Sequence, residues 1–334
     1  MQDKSPLRVV SIGGGTGLSS VLEGLKHYAR PSTTGSPTLD ITAIVTVTDD
    51  GGSSGRLRRE FDVLPPGDIR NCMVALSEDS ALLSRLFQYR FQAGRGLKGH
   101  SFGNLFLTAL TDILGDFPDA VKASAEVLKI SGHIYPSTTA NVGIEATLVN
   151  GKVIKGESQI SRTHERIKSV RLHPRKVAPL PAALSAIAEA DVITLGPGSL
   201  FTSVVPNLLV DGIAAAIRSS PALKCYFVNL MWQPGETDEF RASDHVRVVH
   251  RHGGGKFLDY AVVNVRSITS ALRKRYARQD AMPVENDIDA LLKMGLKVMA
   301  GNLSSNADKV RHDSAETAAV VVRLATEGRR RKNA

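Results

Sequence analysis

The chain has 334 residues, enough for one large domain or for a main domain with a substantial insertion. Its net charge of +9 is compatible with nucleic acid or anionic lipid. However, no aromatic residues alternate with the basic runs and no known nucleic-acid-binding motif is present, so we expect no nucleic-acid partner. The charge is better explained by solvated faces and by attraction for an acidic small ligand.

The two cysteines, Cys72 and Cys225, lie far apart within apolar stretches, which favours reduced thiols over a structural disulfide. The sequence reaches its first strand without a signal-peptide pattern. It has no uninterrupted apolar run long enough to cross a bilayer. We therefore expect a cytoplasmic protein without a membrane span.

The first elements are a strand, a glycine loop and a helix. Residues 7–12 form a short apolar run, and residues 18–28 carry apolar side chains at helical spacing. A second strand, rich in β-branched residues, is predicted at residues 41–48 and ends at an acidic loop. Helices are then predicted at residues 68–76, 80–88, 101–114 and 117–130.

The period of the pattern changes between residues 132 and 175. Strands are predicted at residues 142–149, 153–160 and 167–172, and Asn150 with Gly151 gives a strong type I′ hairpin signal between the first two. We predict that residues 132–175 form a small β-hairpin excursion at the edge of the main sheet.

Strands and helices alternate again in the remainder of the chain. Strands are predicted at residues 192–195, 225–230, 260–265 and 297–299, and helices at residues 182–190, 208–217, 236–250 and 315–325. This alternation predicts an α/β protein with a Rossmann-like, doubly wound, mainly parallel sheet. We treat residues 1–334 as one domain and expect the basic tail, residues 327–334, to be disordered.

Four loops near the ends of strand-like runs combine glycine with short polar residues. They occupy residues 13–17, 49–55, 196–199 and 229–237. Glycine allows backbone N–H groups to approach an anion closely, and a following helix adds its positive N-terminal end. Because the loops are so far apart in sequence, we expect them to meet in one phosphate-binding crevice at the carboxyl edge of the sheet.

The first loop differs from the usual dinucleotide-binding fingerprint. Counting from Gly13, the third glycine of that fingerprint falls at Leu18, and the acidic residue expected about 20 residues later would fall in the polar connection at residues 31–38, where none appears before Asp40. We interpret the loop as backbone amides that bind a phosphate or a sugar hydroxyl together with Thr16. The alternative is a tight strand-to-helix turn without a ligand.

Asp49 and Asp50 follow the second strand, and three uses are open for them. They can bind a divalent cation such as magnesium, accept hydrogen bonds from ligand hydroxyls, or cap their own loop. Ser53 and Ser54 with the free amides of this loop can hold the phosphate that such a cation bridges. Asp50 is our candidate metal ligand.

Two predicted helix starts carry further polar residues. Arg70 and Asn71 lie one turn into the helix predicted at residues 68–76, after Asp68, which can simply be the N-cap. His100 and Asn104 flank the start of another helix, where the histidine is a candidate general acid, a phosphate ligand or only a hydrogen-bonding residue. No hydrolase elbow, Walker loop or cysteine-rich zinc site is present in the sequence.

Taken together, these motifs resemble those of the YvcK family, also called the gluconeogenesis factor family, which is related to the CofD phospholactate transferases. The segments that carry the resemblance are Gly-Gly-Gly-Thr-Gly at 13–17, Thr-Asp-Asp-Gly-Gly-Ser-Ser-Gly at 48–55, Pro-Gly-Asp-Ile-Arg-Asn at 66–71, Gly-His-Ser-Phe-Gly-Asn at 99–104 and Gly-Pro-Gly-Ser-Leu-Phe-Thr-Ser at 196–203. The resemblance extends over about residues 7 to 325.

The resemblance implies binding of a UDP-sugar such as UDP-N-acetylglucosamine and a role in cell shape and envelope growth on gluconeogenic carbon sources. It also implies that Tyr276 stacks on the uracil or the sugar and that Arg311 pairs with the diphosphate. Without the resemblance, Tyr276 is a surface aromatic residue and Arg311 belongs to an ordinary ion pair. Ser314 occupies a position where the family tends to carry a phosphorylatable hydroxyl.

Two functions remain open. One is a UDP-sugar-binding regulator without turnover, with a protein partner in envelope synthesis; the other is a CofD-like transferase that moves a phospholactyl-type group with magnesium. For the transferase, the candidate catalytic residues are Asp49, Asp50 and His100. A homodimer is compatible with a protein of this size. The predicted ligand-binding residues are Gly13, Gly14, Gly15, Thr16, Gly17, Asp49, Asp50, Gly52, Ser53, Ser54, Arg70, Asn71, His100, Asn104, Gly196, Gly198, Ser199, Asn229, Gln233, Tyr276 and Arg311.

Overall fold

The computed structural model describes residues 5–30, 38–78, 81–306 and 308–334. In these ranges the strands are β1 (Leu7–Gly13), β2 (Leu39–Val45), β3 (His133–Pro136), β4 (Gly143–Leu148), β5 (Val153–Lys155), β6 (Ile167–His173), β7 (Val192–Leu195), β8 (Leu223–Phe227), β9 (Tyr260–Asn264), β10 (Lys297–Gly301), β11 (Ser304–Asn306) and β12 (Val310–His312). The α-helices are α1 (Gly15–Leu25), α2 (Gly52–Phe61), α3 (Gly67–Leu76), α4 (Ala81–Gln88), α5 (Phe102–Leu114), α6 (Phe117–Leu128), α7 (Glu157–Ile160), α8 (Pro181–Glu189), α9 (Val205–Leu208), α10 (Ile213–Ser219), α11 (Ala242–His252), α12 (Ser270–Ala277), α13 (Ile288–Lys293) and α14 (Ser314–Lys332). Residue 80, the predicted start of α4, lies outside the described residues.

Seven of the described strands form one parallel sheet in the order β10-β9-β8-β7-β1-β2-β3. From β1 the chain moves outward through β2 to β3, and from β7 it moves outward in the other direction. The carboxyl ends of β1 and β7 therefore flank the topological switch point, the place where doubly wound proteins bind ligands. The predicted Rossmann-like, mainly parallel sheet is confirmed.

The strands at the centre of the sheet are buried on both faces because helices cover both sides. Every residue of β7 is buried, as are all residues of β8. Helix α1 buries the face formed by Leu18, Val21, Leu22 and Leu25, and it packs against α3 and α14. Since the helix is anchored along this face, its N-terminal end is held at the carboxyl end of β1.

The β excursion is smaller than predicted. Residues 133–136 form β3, which pairs with β2 as the edge strand of the main sheet, so the excursion does not begin at residue 132. The antiparallel unit is the three-stranded sheet β5-β4-β6. With only four residues, β3 is too short to show a pattern of its own.

The second strand of that unit also ends earlier than predicted. Instead of continuing to residue 160, β5 stops at Lys155, and Gly156 adopts a φ of 91°. Helix α7 follows, and the backbone N–H of Ser158 in its first turn donates to Asp50 Oδ1 over 2.9 Å. This contact binds the excursion to the acidic loop after β2.

The predicted helix at residues 236–250 is wrong in its first turn and a half. Glu236 is buried in the loop after β8, and α11 begins only at Ala242. The loop closes on itself because the N–H groups of Glu236 and Thr237 both donate to the carbonyl of Gln233. The positive φ of Glu239 then turns the chain into the helix.

The basic tail, which we expected to be disordered, continues helix α14 as far as Lys332. Arg329 donates to both carboxylate oxygens of Asp191, over 2.9 and 2.7 Å, and Lys332 lies 3.5 Å from the same carboxylate. These ion pairs fix the tail against the amino-terminal end of β7. A pattern of consecutive basic residues gives no sign of such a distant partner.

No single helix among the described residues is long and apolar enough to cross a membrane. One bent pair of helical segments, Leu200–Leu208 with Ile213–Ser219, meets the length and composition when taken together, with an angle of 76° between its parts. The core-facing residues of both parts, among them Leu200 and Ile213, are fully buried.

Candidate functional site

The first glycine loop joins β1 to α1 at the switch point. Gly15 has a φ of +61°, in the left-handed region, and the first turn of α1 has neither a side-chain cap nor an acidic residue. A Cβ added at Gly17 would lie 2.4 Å from the carbonyl oxygen of Pro197, so only glycine fits there. Apart from the Gly15 N–H, which donates to the Asp68 carboxyl, the amide groups of this turn are therefore open to an anion.

The third predicted loop follows β7 and packs against the first. Gly198 has a φ of +150°, and an added Cβ would lie 3.4 Å from the carbonyl oxygen of Gly14. The side-chain amide of Asn207 holds the first loop in place by donating a hydrogen bond to the carbonyl of Gly13 over 3.1 Å. Gly196 precedes Pro197 in a cis peptide bond. The two loops thus form the walls of the crevice between β1 and β7.

A cavity of about 320 Å³, here called the central cavity, occupies this crevice. Its lining residues include Gly14, Gly15, Thr16, Gly17, Gly198, Ser199, Asn229, Gln233, Arg311 and His312. Within the described part of the chain, no aspartate or glutamate lines it. Three of the four predicted loops and Arg311 therefore meet here.

Arg311 lies on β12 and is exposed. In the described ranges its guanidinium makes no ion pair, so the ordinary surface pair considered as an alternative is absent. Tyr276 is half-buried at the end of α12, and its hydroxyl accepts a hydrogen bond from the Val310 N–H over 3.2 Å. Tyr276 thereby contacts the hairpin that carries Arg311, although it lines a neighbouring cavity.

His312 also lines the central cavity, which the sequence analysis did not foresee. Burial lowers the pKa of its imidazole to about 4, against a hydrogen bond to the Val228 backbone that acts in the other direction. Its Nε2 is buried and has no hydrogen-bond partner among the described residues. A neutral imidazole with a vacant nitrogen is able to bond a ligand group in the cavity.

The second predicted loop lines a different, adjacent cavity. This serine cavity has a volume of about 260 Å³ and is lined in part by Asp49, Gly52, Ser53, Ser54, Asp68, Arg70, Asn71 and Asn104. Asp68 lies between the two cavities, because its carboxyl accepts a hydrogen bond from the Gly15 backbone. The single crevice predicted from the sequence is thus two neighbouring cavities.

Arg70 and Asn104 form one wall of the serine cavity. Arg70 is 8% exposed and donates to Ser101 Oγ over 2.7 Å and to Asn71 Oδ1 over 2.5 Å. Arg70 Nε and Asn104 Oδ1 are buried without a hydrogen-bond partner in the described ranges. Since buried polar atoms are normally paired, this wall is suited to a polar ligand.

His100 is buried behind this wall and lines neither cavity. Its Nδ1 lies 3.1 Å from Ser53 Oγ, and burial lowers the pKa of its imidazole. Ser53 Oγ in turn accepts a hydrogen bond from the Ser101 N–H. In this arrangement His100 orients a cavity-lining serine.

Three carboxyl groups meet beside the serine cavity: Asp49 after β2, Asp68 in α3 and Glu157 at the start of α7. Burial raises the pKa of Glu157 to about 9, and the charges of Asp49 and Asp68 add to this effect. Burial and the charge of Asp49 likewise raise the pKa of Asp68 to about 6. Gathered carboxylates favour protonated forms or a bound cation.

Asp50, the candidate metal ligand, accepts the Ser158 N–H described above, and its charge also contributes to the raised pKa of Glu157. Among residues 5–30, 38–78, 81–306 and 308–334, no three histidine, cysteine, aspartate or glutamate side chains are positioned to hold a metal ion. The donor chemistry of Asp49, Asp68 and Glu157 nevertheless suits a hard cation. Glu157 was not foreseen, because its position depends on how the excursion packs.

A second unforeseen group is Glu236, which is 4% exposed. It accepts hydrogen bonds from the hydroxyls of Ser199 and Ser161, and burial raises the pKa of its carboxyl. Ser199 Oγ also lies 2.7 Å from Thr202 Oγ1. Glu236 therefore fixes the orientation of a hydroxyl that lines the central cavity.

Ser314, the candidate modification site, is the first residue of α14. Its hydroxyl lies 3.4 Å from Glu23 Oε2, and its backbone carbonyl packs so closely on α1 that a Cβ at Gly24 would lie 2.0 Å from it. The residue thus adjoins the far end of the helix whose first turn forms the central cavity.

Comparison with known proteins places this site in a family. The family model described as 2-phospho-L-lactate transferase CofD matches residues 9–304. The gluconeogenesis factor of Bacillus subtilis is 46% identical over 321 residues, which cover 96% of this chain and 98% of that protein. The gluconeogenesis factor of Halalkalibacterium halodurans is 44% identical over 315 residues, 94% of this chain and 95% of that protein.

A solved structure gives the same result. The crystal structure of a Bacillus halodurans protein superposes with a TM-score of 0.91 at 43% sequence identity, and the match covers 95% of this chain and all of that one. Because the CofD family model spans most of the sequence and the relatives align over nearly their whole length, the chain belongs to the gluconeogenesis factors of the CofD family.

Proposed function

We propose that the protein binds a UDP-sugar, such as UDP-N-acetylglucosamine, in the central cavity and acts as a regulator without turning it over. The relatives are named gluconeogenesis factors, which supports a role during growth on gluconeogenic carbon sources. In this proposal the bound sugar nucleotide sets the affinity for a protein partner in envelope synthesis, and cell shape depends on that interaction.

The observation that carries this proposal is the construction of the central cavity. Two glycine loops and the first turn of α1 direct backbone groups into the switch point. Arg311 supplies a guanidinium that is not used elsewhere in the described chain, and no carboxylate opposes it in the lining. A diphosphate needs this combination of amide donors and one planar cation.

The chemistry around the cavity favours binding over turnover. His312 has a pKa of about 4, so it is neutral near pH 7 and holds no proton to donate as an imidazolium. Ser199 is held by Glu236, which is buried and does not itself line the central cavity. A general base would need direct access to the reacting group.

Thermal unfolding with a panel of ligands tests this proposal. The ligands are UDP-N-acetylglucosamine, UDP-glucose, GDP and NAD, each with and without magnesium. A ligand at 100 times its Kd adds about 2.7 kcal/mol, which raises Tm by a few degrees. We expect stabilisation by the two uridine sugars and intact ligand after incubation. Stabilisation by NAD or GDP alone would contradict the proposal.

A second candidate function, a CofD-like transferase, is favoured by the gathered carboxyls of Asp49, Asp68 and Glu157. Their negative charge would attract magnesium to the diphosphate, where the ion would stabilise charge on the leaving group. Their position beside the serine cavity would allow Arg70 and Asn104 to orient an acceptor. The transferase predicts magnesium-dependent release of a nucleotide product, whereas the regulator predicts none, and Asp49→Asn would abolish that release.

A further inference from the structure

The central cavity adjoins two further cavities whose linings differ in chemistry. The amide cavity, of about 310 Å³, shares Asn229 and Leu230 with it. The acidic cavity, of about 420 Å³, shares Ser199, Ser203 and Gln233. Because the amide and acidic cavities share no lining residue with each other but each shares residues with the central cavity, the central cavity lies between them.

The amide cavity lies at the carboxyl ends of β8 and β9. Its polar lining residues are three asparagines, two arginines and one serine: Asn229, Asn264, Asn286, Arg266, Arg273 and Ser267. In the described chain no aspartate or glutamate lines it, and Arg273 makes no ion pair. Val265, which is 52% exposed, contributes apolar surface to the same cavity.

This composition suits a nucleobase and its ribose. A base offers a flat apolar face and an edge of donors and acceptors, which amides bond in either direction and guanidinium planes stack on. The Asn264 amide is already fixed, since its Oδ1 accepts from the N–H groups of Ser304 and Arg266. Asn286 donates to the Asn264 carbonyl, so this wall is rigid before any ligand arrives.

The acidic cavity has the opposite character. Glu157 and Glu236 line it together with several serine and threonine hydroxyls, and Trp232 and Tyr276 supply aromatic faces. Among the described residues, no lysine or arginine lines it. With no cationic side chain among the described lining residues, nothing in this cavity balances the charge of a phosphate, so the diphosphate does not belong here.

A neutral hexose suits the acidic cavity, because carboxyl and hydroxyl groups bond sugar hydroxyls and aromatic rings pack on the apolar face of the ring. Trp232 is oriented by the hydrogen bond from its Nε1 to the Phe240 carbonyl, at 3.1 Å. The Tyr276 hydroxyl is held by the Val310 N–H. Both rings are therefore in place without the ligand.

From this contrast we infer the direction in which the ligand lies: base and ribose in the amide cavity, diphosphate in the central cavity, and hexose in the acidic cavity. The inference rests on the proposed UDP-sugar binding and adds to it the recognition of each half of the ligand by separate residues. Specificity for the nucleotide then depends on the loop after β9. Specificity for the sugar depends on the β excursion and on the loop after β8.

Two matched steric variants of the full-length protein test this direction. Val265→Trp fills the amide cavity and Ser161→Trp fills the acidic cavity; both residues are exposed and both line only their own cavity. Calorimetry measures the Kd of UDP and of UDP-N-acetylglucosamine for each. If the Tm of one of these variants shows that it does not fold, a second variant at an exposed residue of the same cavity is used instead. This is Arg273→Glu for the amide cavity and Gln279→Trp for the acidic cavity.

We expect Val265→Trp to weaken the binding of UDP and of UDP-N-acetylglucosamine by the same factor, at least tenfold. We expect Ser161→Trp to weaken only the binding of UDP-N-acetylglucosamine, so that the variant's affinity for this ligand approaches its affinity for UDP. The reverse assignment, or no change in either variant, would overturn the inferred direction while leaving UDP-sugar binding intact. Absence of binding to the wild-type protein would instead remove the proposed function itself.

Discussion

The pKa values of buried acids are shifted in opposite directions at the two ends of the parallel sheet. At the amino-terminal end, burial alone would raise the pKa of Asp191, but hydrogen bonds from Arg329 and from the Arg8 backbone hold it below its ordinary value. At the carboxyl end, burial and each other's charges raise the pKa values of Glu157 and Asp68. The buried acid at the amino-terminal end is thus paired with cationic side chains, whereas the buried acids at the carboxyl end lack such pairing.

This difference separates stability from function. The charge of Asp191 is compensated by the protein itself, so the group contributes to folding and leaves nothing for a ligand. The acids at the carboxyl end, together with the vacant atoms of Arg70 and Asn104, lower stability until something binds. Groups whose pKa values are strongly perturbed concentrate at functional sites for this reason.

The largest expected effect is at the amino-terminal end. Asp191→Asn removes the charge that faces Arg329 and Lys332, and breaking a buried pair in this way costs about 3–5 kcal/mol. Urea unfolding measures the loss, and the exposed Asp112→Asn serves as the control. Ligand affinity of the folded fraction stays unchanged. A loss below about 1 kcal/mol would show that the pair does not anchor α14.

The next effect tests the contact between the two glycine loops. Gly17→Ala places a Cβ against the Pro197 carbonyl, and relieving such a clash costs about 1–3 kcal/mol and moves the loops apart. We expect UDP-N-acetylglucosamine affinity to fall at least tenfold in calorimetry. Gly143→Ala is the control, since the nearest atom to its added Cβ is 3.9 Å away. Equal behaviour of the two variants would contradict the packing described here.

A smaller effect follows from the sign of the pKa shifts. The folded-state pKa values of Glu157 and Asp68 lie above their unfolded values, so the protein binds these protons more tightly when folded. The protonated carboxyl groups make their full contribution to stability below about pH 4. This contribution is lost as the pH rises through the folded-state pKa, about 6 for Asp68 and about 9 for Glu157. Asp191 acts in the opposite direction, since its contribution is lost as pH falls below its ordinary pKa.

Glu157→Gln isolates the contribution at the carboxyl end. The variant keeps the shape of the side chain but cannot ionise, so we expect it to exceed the wild-type stability by about 1–2 kcal/mol at pH 8 and to equal it at pH 4. Tm measured from pH 4 to pH 9 gives both values. A wild-type protein whose stability rises over pH 5–9, with the variant parallel to it, would refute this assignment.

The sequence predicts the parts of this molecule that depend on local pattern. Glycine loops after apolar runs located the walls of the central cavity, and alternating elements gave the parallel sheet. The strand order was not predicted, because it depends on which strands pair across the switch point.

The groups that the sequence did not reveal are held by distant contacts. Glu157 reaches the acid cluster only because Ser158 binds Asp50, more than 100 residues earlier in the chain. Glu236 lay within a pattern that resembled a helix, and its burial against Ser199 is a tertiary effect. In the same way, Arg329 in a basic tail gave no sign of Asp191.

Calorimetric titration of UDP-N-acetylglucosamine into wild-type protein, Arg311→Ala and the exposed control Arg323→Ala tests the central claim most directly. We predict binding to the wild type and to Arg323→Ala with equal Kd. Loss of a charge-assisted bond in Arg311→Ala costs about 1.5–3 kcal/mol, which weakens binding roughly 10- to 150-fold. Unchanged affinity in Arg311→Ala, or no binding to the wild type, would contradict the assignment of the central cavity to the diphosphate.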